Sequence, residues 1–229
     1  MWIHIFFDLI SYAAAGYLSW KYFRPSSLIE DDRLRWHYYT VLVAGLILGS
    51  VGLSTLNNYL SLAGRVILGK SILGALFGGI VFSEFFKGTM GIKGSTGAYF
   101  APSLAIGIAI GRIGCFLAGL EDYTYGIETT LPWGVDFGDG RLRHPVQLYE
   151  SIAMFGFFLY AWQCYRRNIG RFERTIFYQF ILWYALQRFI WELLKPYESI
   201  ALGVNLFGWI CLILIGYALV FLYKNKEET

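Results

Sequence analysis

The sequence predicts an all-α polytopic membrane protein with about seven transmembrane helices, and three observations predict it. Hydrophobic residues make up 56% of the 229, aromatics 19% and charged residues only 15%, far from the balance of a soluble domain. Apolar runs of roughly 20 residues, the length a helix needs to cross a bilayer, recur along the whole chain. Basic residues gather in alternate loops. No stretch of soluble composition is left over, so 1–229 reads as a single integral membrane domain.

The first span, about 3–20, follows Met1–Trp2 with no basic n-region and no small-residue cleavage site, so it reads as a retained helix and not a signal peptide. Spans two and three fall at about 39–60 and 66–87, the third holding Lys70 and Glu84. The fourth, about 97–118, carries Gly107 and Gly111, a small-xxx-small pair that lets helix backbones approach, with Arg112 beside them. The longest loop follows at about 119–145 and is rich in Asp, Gly and aromatic residues. Pro145 suits the first turn of the fifth span, about 146–165, because its missing N–H costs nothing there. Spans six and seven fall at about 175–194 and 203–223.

Orientation follows from the 19 Lys and Arg residues. With the amino terminus outside, 12 of them lie in inner segments: Lys21, Arg24, Arg33, Arg35, Lys87, Lys93, Arg166, Arg167, Arg171, Arg174, Lys224 and Lys226. Four (Arg65, Arg141, Arg143 and Lys195) lie outside, and Lys70, Arg112 and Arg188 sit within spans. The bias favours N-out and C-in, with the 119–145 loop outside. The same bias accounts for the net charge of +3 without nucleic acid. Cys115, Cys164 and Cys211 all lie in apolar stretches without paired spacing, so neither a disulfide framework nor a metal site is expected, and no cofactor.

Seven ionisable side chains fall within the spans or at their ends: Asp8, Lys70, Glu84, Arg112, Glu150, Arg188 and Glu192. Each is expensive in hydrocarbon and requires a partner, a cavity or the interface. Asp8 and Glu84 read as structural pairs or snorkelling groups. Tyr184, Arg188 and Glu192 recur at i, i+4 and i+8 and share one helix face. An arginine paired to one carboxylate keeps further donors in its planar fork, suited to a phosphate oxygen. The run RHPVQLYE, Arg143 to Glu150, sets His144 at a helix start with Gln147 and Glu150 one turn apart behind it. Together these residues describe a polar site inside the membrane.

In this order the pieces resemble the bacterial prolipoprotein diacylglyceryl transferase family. GRIGCFLAGLEDYTYG, Gly111 to Gly126, resembles the family signature; LPWG at Leu131–Gly134 followed by RHPVQLYE is similar to its next block; YALQRFIWELLKP, Tyr184 to Pro196, resembles its last motif. The resemblance implies transfer of the diacylglyceryl group of phosphatidylglycerol to the cysteine thiol of a prolipoprotein, releasing glycerol phosphate, in the bacterial cytoplasmic (inner) membrane. It further implies that Arg112 and Arg188 hold the phosphate, that Tyr184 and Glu192 position it, and that Glu121 or Asp122 fills the acidic position of the signature. Arg143, Gln147, Glu150, Cys115 and Lys70 complete the expected substrate contacts, and His144, Glu121 and Glu150 are alternatives for the base that takes the thiol proton.

The chain departs from the family pattern in three places. Cys115 stands where the signature has Asn, losing an amide donor and a carbonyl acceptor. In GKSILGALFGG, Leu73 occupies the position of a His or Tyr, with Lys70 nearby, and the signature is about three residues longer before its final glycine. These changes leave open another thiol acceptor. A transporter of anionic lipid is the reading from another class, though neither repeated halves nor broken helices are legible; a scaffold that kept the fold and lost activity is the third.

Overall fold

The computed structural model describes residues 2–23, 29–61, 68–196 and 203–227. Arg24 and Arg65, both used in reading the orientation, and the first residues of the span placed at 66–87 lie outside them. The helices are α1 (Trp2–Lys21), α2 (Asp32–Ser61), α3 (Ile72–Met90), α4 (Ala101–Ala118), α5 (Val146–Arg167), α6 (Ile169–Glu192) and α7 (Leu206–Glu227). Among the described residues four stretches are long and apolar enough to cross a membrane: Asp32–Leu60, Ile72–Met90, Ala101–Glu121 and Leu206–Lys226. The helices outside this set carry polar groups: His4 and Asp8 on α1, Gln147 and Glu150 on α5, Arg188 and Glu192 on α6.

The chain divides into two compact units. The first comprises Met1–Pro25, Gly97–Pro196 and Ile215–Thr229; the second comprises Ser26–Thr96 and Tyr197–Leu214. In the second unit α2 and α3 run antiparallel along a glycine seam, Gly49 opposite Gly74 and Gly45 opposite Gly78. A Cβ on Gly49 would overlap the Gly74 carbonyl oxygen, and one on Gly78 would overlap that of Gly45. The absence of side chains is what lets these backbones touch. Ser71 begins α3 by accepting a hydrogen bond from the Gly74 N–H at 3.2 Å, and Gly91 ends it at φ 68°. Lys70 therefore precedes α3 and is exposed; the sequence reading set it inside a span, but the cap fixes the helix start two residues later. Gly49→Ala is expected to destabilise the protein by about 1–3 kcal/mol, as overpacking does. Gly16→Ala, where a Cβ meets nothing within 4 Å, is the control, both measured by thermal unfolding in detergent.

In the first unit α1 runs antiparallel to α4. Ser11 donates to the Gly107 carbonyl at 2.7 Å, Ser19 donates to Ser103 at 2.8 Å, and Gly114 faces Phe7. On its other side α4 meets α5, where Ser151 donates to the Ala109 carbonyl at 2.7 Å. The basic stretch 166–174, expected as a loop, is almost wholly helical. Asn168 alone, in extended conformation, ends α5 and caps α6 by accepting from the Arg171 N–H at 2.9 Å. Aromatic rings fill the far end of this unit, with Phe23 stacked on Phe172 at 6.2 Å and Tyr178 on Phe221 at 4.9 Å.

The 119–145 connection is folded. After a 3-10 turn at Gly119–Asp122, strands β1 (Val135–Asp136) and β2 (Leu142–Arg143) pair antiparallel, a small β element in an otherwise helical protein. The Asp136 carboxylate accepts from the N–H groups of Gly138 and Gly140, whose φ of 100° and 75° require glycine. Pro145 stands one position before the helix it starts, as the residue preceding Val146.

A buried cluster of arginines and carboxylates

Three helices of the first unit bring their charges to one place. Arg112 on α4 extends Nε to Oε2 of Glu150 on α5 at 2.8 Å. Arg188 on α6 reaches the same oxygen through Nη1 at 3.2 Å, and through Nη2 meets Oε2 of Glu192 at 2.9 Å. Lys195, just beyond α6, lies 3.6 Å from that Glu192 oxygen. All five side chains are buried, Glu150 to 2% exposure. Placing a charge in such a site costs several kcal/mol unless it is matched. Among the described residues three cations face two carboxylates, one positive charge in excess when Lys195 is protonated.

The neighbouring groups are polar. Tyr184, fully buried one turn before Arg188, stacks on Phe180 at 6.1 Å. Gln147, one turn before Glu150 on α5, is 1% exposed, and neither end of its amide has a hydrogen-bond partner among the described residues. Oε1 of Glu150 is in the same position. Buried polar atoms are almost always satisfied, so these point to a polar ligand. Cys115, one turn after Arg112, receives its Nη1 at 3.8 Å. A thiol is a weak acceptor, so a strong donor here has a poor partner.

The other expected site residues stand apart from this cluster in their contacts. His144 is held by Tyr149, whose hydroxyl lies 3.3 Å from Nδ1 and also accepts from the Trp133 indole at 2.8 Å. Arg143 donates to Asp139 at 2.7 Å and lies over the Tyr125 ring at 5.0 Å; this pairing holds the Asp139 carboxyl below its usual range. Glu121 is exposed on the 3-10 turn, the Asp122 side chain lies outside those described, and Lys70 belongs to the second unit. Sequence reasoning missed His4 and Lys195. His4 Nδ1 lies 3.0 Å from Asp8 and its Nε2 lies 3.6 Å from the Cys115 sulfur. The i, i+4 spacing of His4 and Asp8 was the available signal.

Fold and site define a helical protein with helices long and apolar enough to cross a membrane and a buried cluster of arginines and carboxylates. Comparison with known proteins makes this specific. The family model described as prolipoprotein diacylglyceryl transferase matches residues 9–224, and the chain belongs to that family. It is similar to the phosphatidylglycerol--prolipoprotein diacylglyceryl transferase of Nitratidesulfovibrio vulgaris, 30% identical over 210 residues, covering 86% of this chain and 77% of that protein. The Polynucleobacter asymbioticus protein of the same name is 30% identical over 138 residues (56% of this chain, 50% of that one). That of Legionella pneumophila is 33% identical over 149 residues (62% and 55%). Apart from the first of these, the matches span about half the length of the relatives.

Proposed function

We propose that the protein transfers the diacylglyceryl group of phosphatidylglycerol to a thiol, the cysteine of a prolipoprotein, and releases glycerol phosphate. The observation that carries this reading is the convergence of two buried arginines on one carboxylate oxygen, with one positive charge in excess among the described residues, which suits the negative charge of a lipid phosphodiester. The family and the names of its relatives support the substrate pair. In this reading Arg112 and Arg188 hold the phosphate, and Glu150 keeps the two guanidiniums together. Glu192 and Tyr184 orient Arg188, while the amide of Gln147 meets the lipid headgroup. When the carbon–oxygen bond breaks, the phosphate gains a second charge, which fixed donors in a dry site stabilise. Incubating purified protein with labelled phosphatidylglycerol and a lipobox peptide, and following glycerol phosphate, tests the reading; no release overturns it.

The cluster makes the reaction sensitive to pH. Lys195 has its pKa pushed down to about 8, first by burial and then by Arg188, with Glu192, Arg112 and Glu150 as further charged groups around it among the described residues. Below that value Lys195 is charged and the cluster has its excess; above it the cluster is neutral. Affinity for the anionic lipid is therefore expected to fall between pH 7 and 9, read as a rise in KM. Lys195→Arg should flatten that rise.

We further infer seven membrane crossings in one membrane domain of the bacterial inner membrane, with the amino terminus outside, supported by the distribution of basic residues. After replacement of the native cysteines, an impermeant reagent applied to intact cells should label a cysteine at position 139 and spare one at 171. The opposite pattern reverses the orientation.

A further inference from the structure

The antiparallel pairing of α1 with α4 brings the first turns of one helix to the last turn of the other, and three reactive groups meet there. Asp8 Oδ2 lies 3.0 Å from His4 Nδ1, and His4 Nε2 lies 3.6 Å from Cys115 Sγ. A carboxylate against Nδ1 accepts the hydrogen bond of Nδ1–H, favours that tautomer and leaves Nε2 as the acceptor. The imidazole is then set to take the thiol proton. A nucleophile within reach of a base, and a base oriented by a third group, is the arrangement that covalent catalysis requires. The sulfur is buried whereas His4 and Asp8 are about one-third and two-fifths exposed, so the proton relay opens outward and the nucleophile faces the interior. Arg112 Nη1 lies on the sulfur at 3.8 Å, and Arg112 in turn meets Glu150, one turn from the unsatisfied amide of Gln147. The thiol therefore adjoins a buried polar place that has room in its hydrogen bonding for a ligand.

We propose that Cys115, His4 and Asp8 form an acyl-transfer centre whose substrate is a carboxylic ester of a glycerophospholipid. This goes beyond diacylglyceryl transfer, because a different bond breaks. His4 Nε2 takes the proton of Cys115, and Sγ bonds to the ester carbonyl carbon. The carbonyl oxygen becomes an oxyanion facing Arg112 Nη1. The carbon–oxygen bond to glycerol then breaks, and His4 returns the proton to the departing glyceryl oxygen, giving a lysophospholipid and an acyl thioester on Cys115. In the second half, water or an alcohol gives its proton to His4 and attacks the thioester, producing a fatty acid or a new ester and restoring the thiol. A thioester can hand on its acyl group, whereas a thioether formed with a glyceryl carbon cannot.

The test uses the full-length protein in detergent micelles with phosphatidylglycerol labelled either in its acyl chains or in its diacylated glycerol. Samples quenched in acid are separated on denaturing gels before and after neutral hydroxylamine. Acyl label without glycerol label, released by hydroxylamine, absent in Cys115→Ala and formed about 100-fold or more slowly in His4→Ala is the expected result. No label on the protein overturns the proposal. Glycerol and acyl label together, resistant to hydroxylamine, also overturns it; that outcome means the thiol accepted the diacylglyceryl group and leaves the transfer reading standing. Should His4→Ala fold poorly, the rate of Cys115 alkylation by iodoacetamide against pH in wild type and Asp8→Asn decides. A pH profile that differs between wild type and Asp8→Asn supports the relay, and identical profiles overturn it.

Discussion

Arg112→Ala and Arg188→Ala should each lower glycerol phosphate release by at least about 100-fold, the loss seen when one preorganised donor to a developing charge is removed. Each guanidinium shares Oε2 of Glu150, so each is held in place before a lipid arrives. Deleting one removes donors from the phosphate and leaves the other arginine alone with the carboxylate. Because the buried charge then becomes balanced, the variants should still fold, and their elution in size-exclusion chromatography should match wild type. Arg→Lys should recover only part of the rate, since an ammonium offers a point charge and not a planar fork. Near-normal turnover in both alanine variants would overturn the assignment of the phosphate site.

Glu150→Ala should be the most destabilising substitution in the protein, at about 3–5 kcal/mol, the cost of breaking a buried ion pair from one side. It leaves Arg112 and Arg188 in a buried site where Glu192 is the carboxylate still paired to Arg188 among the described residues. Glu150→Gln should cost less, because the amide keeps an acceptor between the two guanidiniums. Thermal unfolding in detergent measures both. Added anionic lipid should raise the Tm of Glu150→Ala more than that of wild type, because its phosphate replaces the lost charge and binds only the folded state. An equal rise in the two would mean that the lipid does not enter the cluster.

Much of this site was legible before the structure. The face bearing Tyr184, Arg188 and Glu192 follows from helical period alone, and a buried arginine called for an anion, read from the sequence as a lipid phosphate, where the structure sets Glu150. What the sequence hid was partnership over distance. Asp8 read as a snorkelling group because its meaning depends on His4, and His4 matters because Cys115, 111 residues later, lies against it. Lys195 read as an outer-loop charge because nothing in its neighbourhood announces burial; only the turn after α6 brings it to Glu192. His144 looked like a site residue from its motif, yet its ring goes to Tyr149. The glycine seam of α2 and α3 carries its information in absent side chains, which hydropathy patterns do not register.

The sharing of Glu150 also bears on how the chain enters the bilayer during synthesis. α4 emerges with Arg112 and no acidic residue within the helix, so alone it would carry a bare cation into hydrocarbon at about 2.5–3.5 kcal/mol. The compensating carboxylate arrives only with α5, after the folded 119–145 connection. α6, by contrast, brings Arg188 already paired with its own Glu192 one turn away. In the seven-crossing reading, charge neutrality favours entry of α4 together with α5 as a hairpin, whereas α6 carries a counter-charge of its own.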